Sequence, residues 1–126
     1  MIQIQSKLKV IDNSGAKTVK CLKILKNSKK DSANVGSFIV VSVQSLRNKS
    51  KTSAKVLKGD VLIALVIKTK TRSFCKDGCN FRCFNNSCIL IAKNNTLLGT
   101  RFFGPIPKKL LFSTKLKLNS LTANFF

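Results

Sequence analysis

The 126-residue sequence predicts a mainly β fold closed into a small barrel. Five or six short apolar segments, several of them rich in β-branched residues, are typical of strands rather than helices. Clusters of Gly, Asp, Asn and Ser separate these segments, as turns between strands require. A closed barrel is favoured because it leaves no strand edge open to pair with another chain. From the length we expect one domain spanning residues 1–126.

The central segment, residues 61–67, is apolar without interruption. Its β-branched residues predict a strand, and the unbroken run predicts burial on both faces. Gly59 and Asp60 mark a turn before it. Cations alternate with threonines after it, so a continuing strand would place Lys68 and Lys70 on one face. With Arg72, they are expected to form a basic edge of the barrel.

The other strands are predicted from their apolar patterns in chain order. Ile4, Leu8 and Val10 alternate with polar residues and predict a half-buried first strand. Later strands are predicted at residues 19–25, where Lys20, Lys23 and Lys26 should face outward, at residues 36–43 and at residues 88–92.

Turns and loops are predicted between these strands. Asp-Asn-Ser-Gly at residues 12–15 is a turn whose side chains can bond the local backbone. Asp77-Gly78 is a hairpin signal that joins the basic edge to residues 80–84. Residues 27–34 and 44–55 are predicted as polar loops, the second of them mobile in the free protein. Pro105 and Pro107 exclude regular structure there, and the pattern leaves helix or strand open for the tail.

The charge balance points to a polyanionic partner. Lys and Arg number 24 against 4 acidic residues, giving a formal net charge of +20. A free protein with this charge would repel itself, and nucleic acid would relieve that repulsion. The hydrophobic content of 44% argues against a merely disordered basic tail.

The composition does not favour an enzyme. The chain contains no His and no Glu, so acid–base catalysis would depend on Asp or Lys. Asp12, Asp60 and Asp77 all lie in turn signals, where Asp stabilises the local backbone. No feature indicates a pocket that would activate a Lys nucleophile.

The cysteines are predicted to be free thiols. Cys75, Cys79, Cys83 and Cys88 lack the closely spaced pairs that structural zinc normally uses, although a hairpin could still form a zinc knuckle. A buried free thiol is the default for most of the five cysteines. The odd total of five argues against full disulfide pairing.

Several segments together resemble the family of universal ribosomal protein fourteen of the large subunit, in its bacterial and organellar form. Their order and spacing carry the likeness over nearly the whole chain. The segments are Met-Ile-Gln at 1–3, Asp-Asn-Ser-Gly-Ala at 12–16, Lys-Gly-Asp-Val-Leu at 58–62, Asp77-Gly78 followed by Arg82, Asn-Ser-Cys at 86–88, and Gly-Thr-Arg-Phe-Phe-Gly-Pro at 99–105. Lys17-Thr18 and Lys108-Lys109 depart from the family's usual residues.

The resemblance implies a five-stranded β-barrel with a short, partly helical C-terminal segment. It also implies a structural constituent of the large ribosomal subunit that binds rRNA, with Cys21 and Cys88 as small core residues. No cofactor or metal is expected. The implied partners are small-subunit rRNA at an intersubunit bridge, ribosomal proteins three and nineteen, and a ribosome-silencing factor.

The candidate RNA-binding residues come from the basic edge, the loop after residue 44, the turn around Arg101 and the segments that match the family. Gly99 and Gly104 would allow close backbone approach near Arg101, or only shape a turn while Phe102 or Phe103 plugs the barrel. The candidates are Lys17, Arg47, Lys49, Lys51, Lys55, Lys68, Lys70, Arg72, Arg82, Thr100, Arg101, Lys108 and Lys109.

Two other classes of protein are alternatives to a ribosomal protein. A free-standing barrel that binds single-stranded nucleic acid would expose aromatic residues on one strand face, whereas the Phe residues are scattered. A membrane-surface protein would need a basic amphipathic helix, which only the tail could supply. An abundance of Lys, Asn, Phe and Ile, with a start at the family's first residue and no leader, predicts an organelle-encoded protein, mitochondrial rather than plastid, with a reduced bacterial genome as the alternative.

Overall fold

The computed structural model describes residues 1–25, 32–47, 55–74, 78–92, 94, 96–108, 110 and 125. Within these residues the chain forms seven strands. They are β1 (Lys7–Val10), β2 (Ala16–Ile24), β3 (Phe38–Leu46), β4 (Val61–Lys68), β5 (Ser73–Phe74), β6 (Asn80–Phe81) and β7 (Ser87–Ile91).

Five of these strands close into a barrel in the order β1-β2-β3-β4-β7, which confirms the predicted fold. Neighbouring strands are antiparallel except for β1 and β7, which pair in parallel with Val10 opposite Cys88. The barrel is therefore sealed by the first strand and a strand far along the chain. β5 and β6 form a separate two-stranded hairpin, as the Asp-Gly signal predicted, with Gly78 at a φ of 78°.

The apolar residues divide into two clusters on opposite faces of β4. Ala64 and Val66 belong to the barrel interior, to which every barrel strand contributes. Leu65 and Ile67 belong to an outer cluster, covered by Phe102 from the C-terminal part of the chain. This second layer explains why the strand is apolar on both faces, because a sheet covered on both sides has no polar face.

Burial on both faces holds only for the second half of the central segment. Residues 64–67 are buried, but Val61 is 55% exposed at the start of β4. The first strand was also predicted too long. Ile4 is 53% exposed and lies in a turn beside Gln5, which has a φ of 73°, so β1 begins only at Lys7.

The β2–β3 ribbon is longer than the sequence indicated. Ala16 pairs with Leu46, so residues 44–46 are strand rather than loop. On β2, Lys23 is exposed as predicted, whereas Lys20 is half-buried. Residues 99–107 are irregular as predicted, with isolated bridges from Asp12 to Phe102 and from Ile106 to Phe125.

Some predictions fall outside the described residues. These are Lys26, most of the polar loop at 27–34, the centre of the loop at 44–55 and the partly helical C-terminal segment. Where the chain is described, no helix has the length and apolarity needed to cross a bilayer.

Candidate nucleic-acid interface

The turn at residues 12–15 fastens distant parts of the chain to each other. Asp12 is fully buried, and its Oδ1 accepts hydrogen bonds from the Ser14 backbone N–H at 2.9 Å and from the Ser14 hydroxyl. Its Oδ2 accepts from the backbone N–H of Leu90 in β7 at 2.8 Å. Asp12 therefore stabilises its own turn, as predicted, and also pins the strand that closes the barrel.

The next residue positions the predicted site around Arg101. Asn13 Nδ2 donates to the Thr100 hydroxyl at 2.8 Å, and Asn13 Oδ1 accepts from the backbone N–H of Thr100 at 2.8 Å and of Arg101 at 3.3 Å. Both Thr100 and Arg101 are exposed. Gly99 is buried against Asp12, where an added β-carbon would lie 2.6 Å from the Asp12 β-carbon. Because Gly99 has no side chain, its loop can pack closely against Asp12.

Arg47 is docked on the barrel, directly after β3, rather than carried on a mobile loop. Its backbone N–H donates to the Gly15 carbonyl at 2.9 Å, and its Nη2 donates to the Val10 carbonyl at 2.9 Å. The guanidinium carbon lies 5.0 Å from the ring centroid of Phe103, within cation–π range. Phe102 is buried in the outer cluster rather than in the barrel interior, and Phe103 is 47% exposed. Neither phenylalanine therefore plugs the barrel, as the sequence had allowed.

The basic edge after β4 differs from the predicted continuing strand. The strand ends at Lys68, after a register shift between Val66 and Lys68. The Lys70 backbone N–H then donates to Asn86 Oδ1 at 2.9 Å, and the Lys70 carbonyl accepts from Arg82 Nε at 3.1 Å. Strand alternation therefore does not put Lys68 and Lys70 on one face.

Several of these cations meet in one groove of about 450 Å³. It lies between the end of β4, the residues after β6 and the loop at 103–105. Among its described lining residues are four cations and two aromatic side chains, and none is acidic. They are Lys9, Arg47, Lys68, Arg82, Phe84 and Phe103. We call this the cationic groove.

The cationic groove brings together candidates that are far apart in the sequence and adds Lys9, which sequence reasoning missed. Lys9 is exposed in β1, which pairs with β7, and its backbone N–H donates to the Asn86 carbonyl at 2.9 Å. Its position in an alternating strand could have marked it as outward-facing. Only the parallel pairing of β1 and β7 places it near Lys68.

The other candidates lie apart from the groove lining. Lys17, Lys70, Arg72, Thr100, Arg101 and Lys108 are exposed, and Lys55 donates from Nζ to the Leu98 carbonyl at 3.0 Å. Lys49, Lys51 and Lys109 are outside the described residues.

The acidic side chains that the structure describes are used by the fold. Asp12 is bonded to Ser14 and Leu90, and Asp60 Oδ2 accepts from the Leu57 backbone N–H at 2.7 Å. Both carboxylates thus satisfy backbone donors. Neither of these two carboxylates lines the cationic groove.

Two of the four described cysteines follow the core expectation. Cys21 and Cys88 are buried in the barrel interior, and burial raises the pKa of both thiols. Cys79 is exposed, whereas Cys83 is half-buried with a pKa raised by desolvation, which the charge of Lys68 partly opposes. No three His, Cys, Asp or Glu side chains of the described ranges gather as a metal site requires. Cys75 lies outside those ranges.

Comparison with known families agrees with the barrel and with its motifs. The family model described as Ribosomal protein L14p/L23e matches residues 1–126, which is the whole sequence. The match includes the Asp12–Asn13 turn and the Gly99–Arg101 loop, which the structure joins by hydrogen bonds. This chain belongs to the L14p/L23e family of large-subunit ribosomal proteins and is a structural, non-enzymatic component of the ribosome.

Proposed function

We propose that this protein binds large-subunit rRNA through phosphate contacts and braces it with the rigid barrel. The observation that carries the proposal is the cationic groove, whose described lining holds four cations and no carboxylate. Lys9, Arg47, Lys68 and Arg82 concentrate positive charge where strands of the barrel fix the backbone. The formal net charge of +20 means that the rest of the protein also attracts RNA phosphates.

The physical mechanism is neutralisation of phosphates by side chains held on a rigid support. Each phosphate contact releases a condensed counterion, so the affinity falls steeply as salt rises. Lysines supply contacts of low geometric demand, whereas Arg82 can use its planar fork on a phosphate. A barrel that is closed before binding loses little conformational freedom when the RNA docks.

We further propose that the exposed loop at Thr100 and Arg101 contacts small-subunit rRNA at an intersubunit bridge, together with Lys108. The family resemblance supports a bridge role for the protein, and the hydrogen bonds from Asn13 give this exposed loop a fixed position. The same resemblance supports ribosomal proteins three and nineteen as neighbours and a ribosome-silencing factor as a partner on the exposed side.

For the compartment we propose the mitochondrial matrix, with plastid and bacterial ribosomes as the alternatives. The abundance of Lys, Asn, Phe and Ile supports an AT-rich gene. A mitochondrial genetic code in the gene would support this proposal, and recovery of the protein with plastid or bacterial ribosomes would contradict it.

The proposed rRNA binding is tested by reconstitution and by a salt titration. The protein should sediment with the large subunit in magnesium, and the slope of log affinity against log salt should be about −0.7 to −0.9 for each phosphate neutralised. The double variant Lys68→Gln/Arg82→Gln should flatten the slope by roughly one to two units. A matched control is Lys23→Gln/Lys7→Gln, which removes two exposed cations outside the groove. A slope near zero for the wild-type protein would refute the proposal.

A further inference from the structure

Two phenylalanines on the surface border the same cationic groove. Phe84 is 94% exposed and Phe103 is 47% exposed. Both line the groove with Lys68 and Arg82. Exposed aromatic rings beside phosphate-binding cations are what proteins use to stack unpaired bases.

We propose that the cationic groove holds an unpaired nucleotide of the RNA, with its base between Phe84 and Phe103 and its phosphate near Lys68 and Arg82. This inference rests on the proposed rRNA binding and deepens it by naming the class of RNA element that this site takes. A base inside a duplex is stacked on its neighbours and cannot present its face to a side chain. Bases in loops, bulges and ends can do so.

The size of the groove fits a single nucleotide rather than a helix. A volume of about 450 Å³ lies in the range of about 300–1,000 Å³ that is typical of small-molecule sites. A double helix would meet only the rim of such a depression, where its phosphates could contact cations without using the aromatic rings.

One wall of the groove is held in place by the barrel. The backbone N–H of Phe103 donates to the Ile11 carbonyl at 2.7 Å, and the Arg47 guanidinium lies over the Phe103 ring. The Arg47 contact to the Val10 carbonyl uses one of the five N–H donors of that guanidinium. Phe103 is therefore oriented before RNA binds, which lowers the entropy lost on stacking.

The opposite wall supplies the charge and the second ring. A β-carbon at Gly104 would lie 3.5 Å from Lys68 Nζ, so this lysine reaches the loop that carries Phe103. The residues after β6 are anchored by the Cys83 backbone N–H, which donates to the Thr69 carbonyl at 3.3 Å. Phe84 follows directly and stands almost fully in solvent. A base entering between the two walls meets a ring and a cation together.

The composition of the chain allows a direct test of stacking. The sequence contains no Trp and no Tyr, so a Phe84→Trp variant has a single strong emitter. The probes are single-stranded octaadenylate and an RNA duplex of the same length. We expect octaadenylate to quench the emission of this variant, because a stacked base quenches indole, while the duplex leaves it nearly unchanged.

The matched control is Phe74→Trp. Phe74 lies in β5, in the hairpin that precedes Phe84, and is 71% exposed, but it does not line the groove. Its emission should respond little to either probe. Equal quenching of the two variants by octaadenylate, or equal quenching of Phe84→Trp by both probes, overturns the inference.

A second pair of variants measures affinity. Phe84→Leu keeps an apolar side chain but removes the ring, and it should weaken octaadenylate binding about five-fold or more without changing the salt slope. Phe74→Leu should bind as the wild-type protein does. If RNA binding stays salt-dependent and neither stacking effect is seen, the inference fails while the proposed function stands. If the wild-type slope is near zero, both fail.

Discussion

Asn13 and Thr100 are joined by two hydrogen bonds of 2.8 Å, one in each direction. The Asn13 amide donates to the Thr100 hydroxyl, and the Thr100 backbone N–H donates to the Asn13 carbonyl oxygen. A turn near the beginning of the chain thus holds an exposed loop near its end in position. The pair fixes that loop without requiring a strand or helix around Thr100.

Asn13→Ala should loosen this loop while the barrel stays folded. Losing the pair should lower the free energy of unfolding by about 1 kcal/mol, since both groups are exposed and can bond water instead. The amides of Thr100 and Arg101 should exchange with solvent faster, as hydrogen-exchange NMR would record. The control is Asn34→Ala, at another exposed turn position. Unchanged protection at Thr100 would contradict the assigned role of Asn13.

Gly99→Ala should destabilise the protein through a steric clash with Asp12. The added β-carbon would lie 2.6 Å from the Asp12 β-carbon, and overpacking of this kind costs about 1–3 kcal/mol. The clash should push Asp12 away from Leu90, so the Leu90 amide should lose protection beyond the global loss.

The control is Gly59→Ala. Gly59 has a φ of +95° and open space around its missing β-carbon, so substitution there strains only the backbone. The Leu90 amide should then follow the global stability alone. Equal behaviour of Leu90 in both variants would show that Gly99 is not packed on Asp12 in solution.

Leu65→Ala tests the packing of the outer cluster on β4. Leu65 is fully buried in the outer cluster, so the cavity should lower the free energy of unfolding by roughly 2–5 kcal/mol in urea titrations. Lys70→Gln is the comparison. Lys70 is exposed, and its substitution should change stability by no more than about 0.5 kcal/mol. A small loss in Leu65→Ala would mean that the outer cluster does not pack as described.

The described thiols should react in the order of their exposure. The thiolate is the nucleophile, so a raised pKa reduces the reactive fraction at about pH 8. Burial raises the pKa of Cys21 and Cys88, whereas Cys79 is exposed. Alkylation followed by peptide mass mapping should therefore label Cys79 first, and Cys21 and Cys88 only in denaturant. Rapid labelling of Cys88 in the native protein would argue against a closed barrel.

The fold could be predicted because its strands carry local signals. The apolar run in β4 and the turn signals around it are visible within a few residues of sequence. The predictions are wrong where the burial of a residue depends on which distant segment packs over it. Val61 has the same side chain as Val66, but only Val66 lies inside the barrel. Ile4 fits an alternating pattern, yet the backbone turns at Gln5 before pairing begins.

The candidate site was harder to predict because no single segment contains it. Charge alone indicated a polyanion, and the motifs indicated the loop at Arg101. The cationic groove depends instead on β1 lying beside β7 and on the strand ending at Lys68, which are properties of the assembled barrel. The sequence alone predicts a mobile loop around Arg47, because the residues that hold it, Val10 and Phe103, are distant in sequence.

The parallel pairing of β1 with β7 also determines when the barrel can form during synthesis. The partner of Lys9 and Val10 is the segment at Ser87 and Cys88, so the first strand stays incomplete until most of the chain has left the exit tunnel. Contacts of such long sequence separation slow folding, because a large loop must close before they form. Until then the nascent chain carries an open sheet edge together with its positive charge. The newly made protein is therefore exposed to aggregation until β7 has left the tunnel and paired with β1.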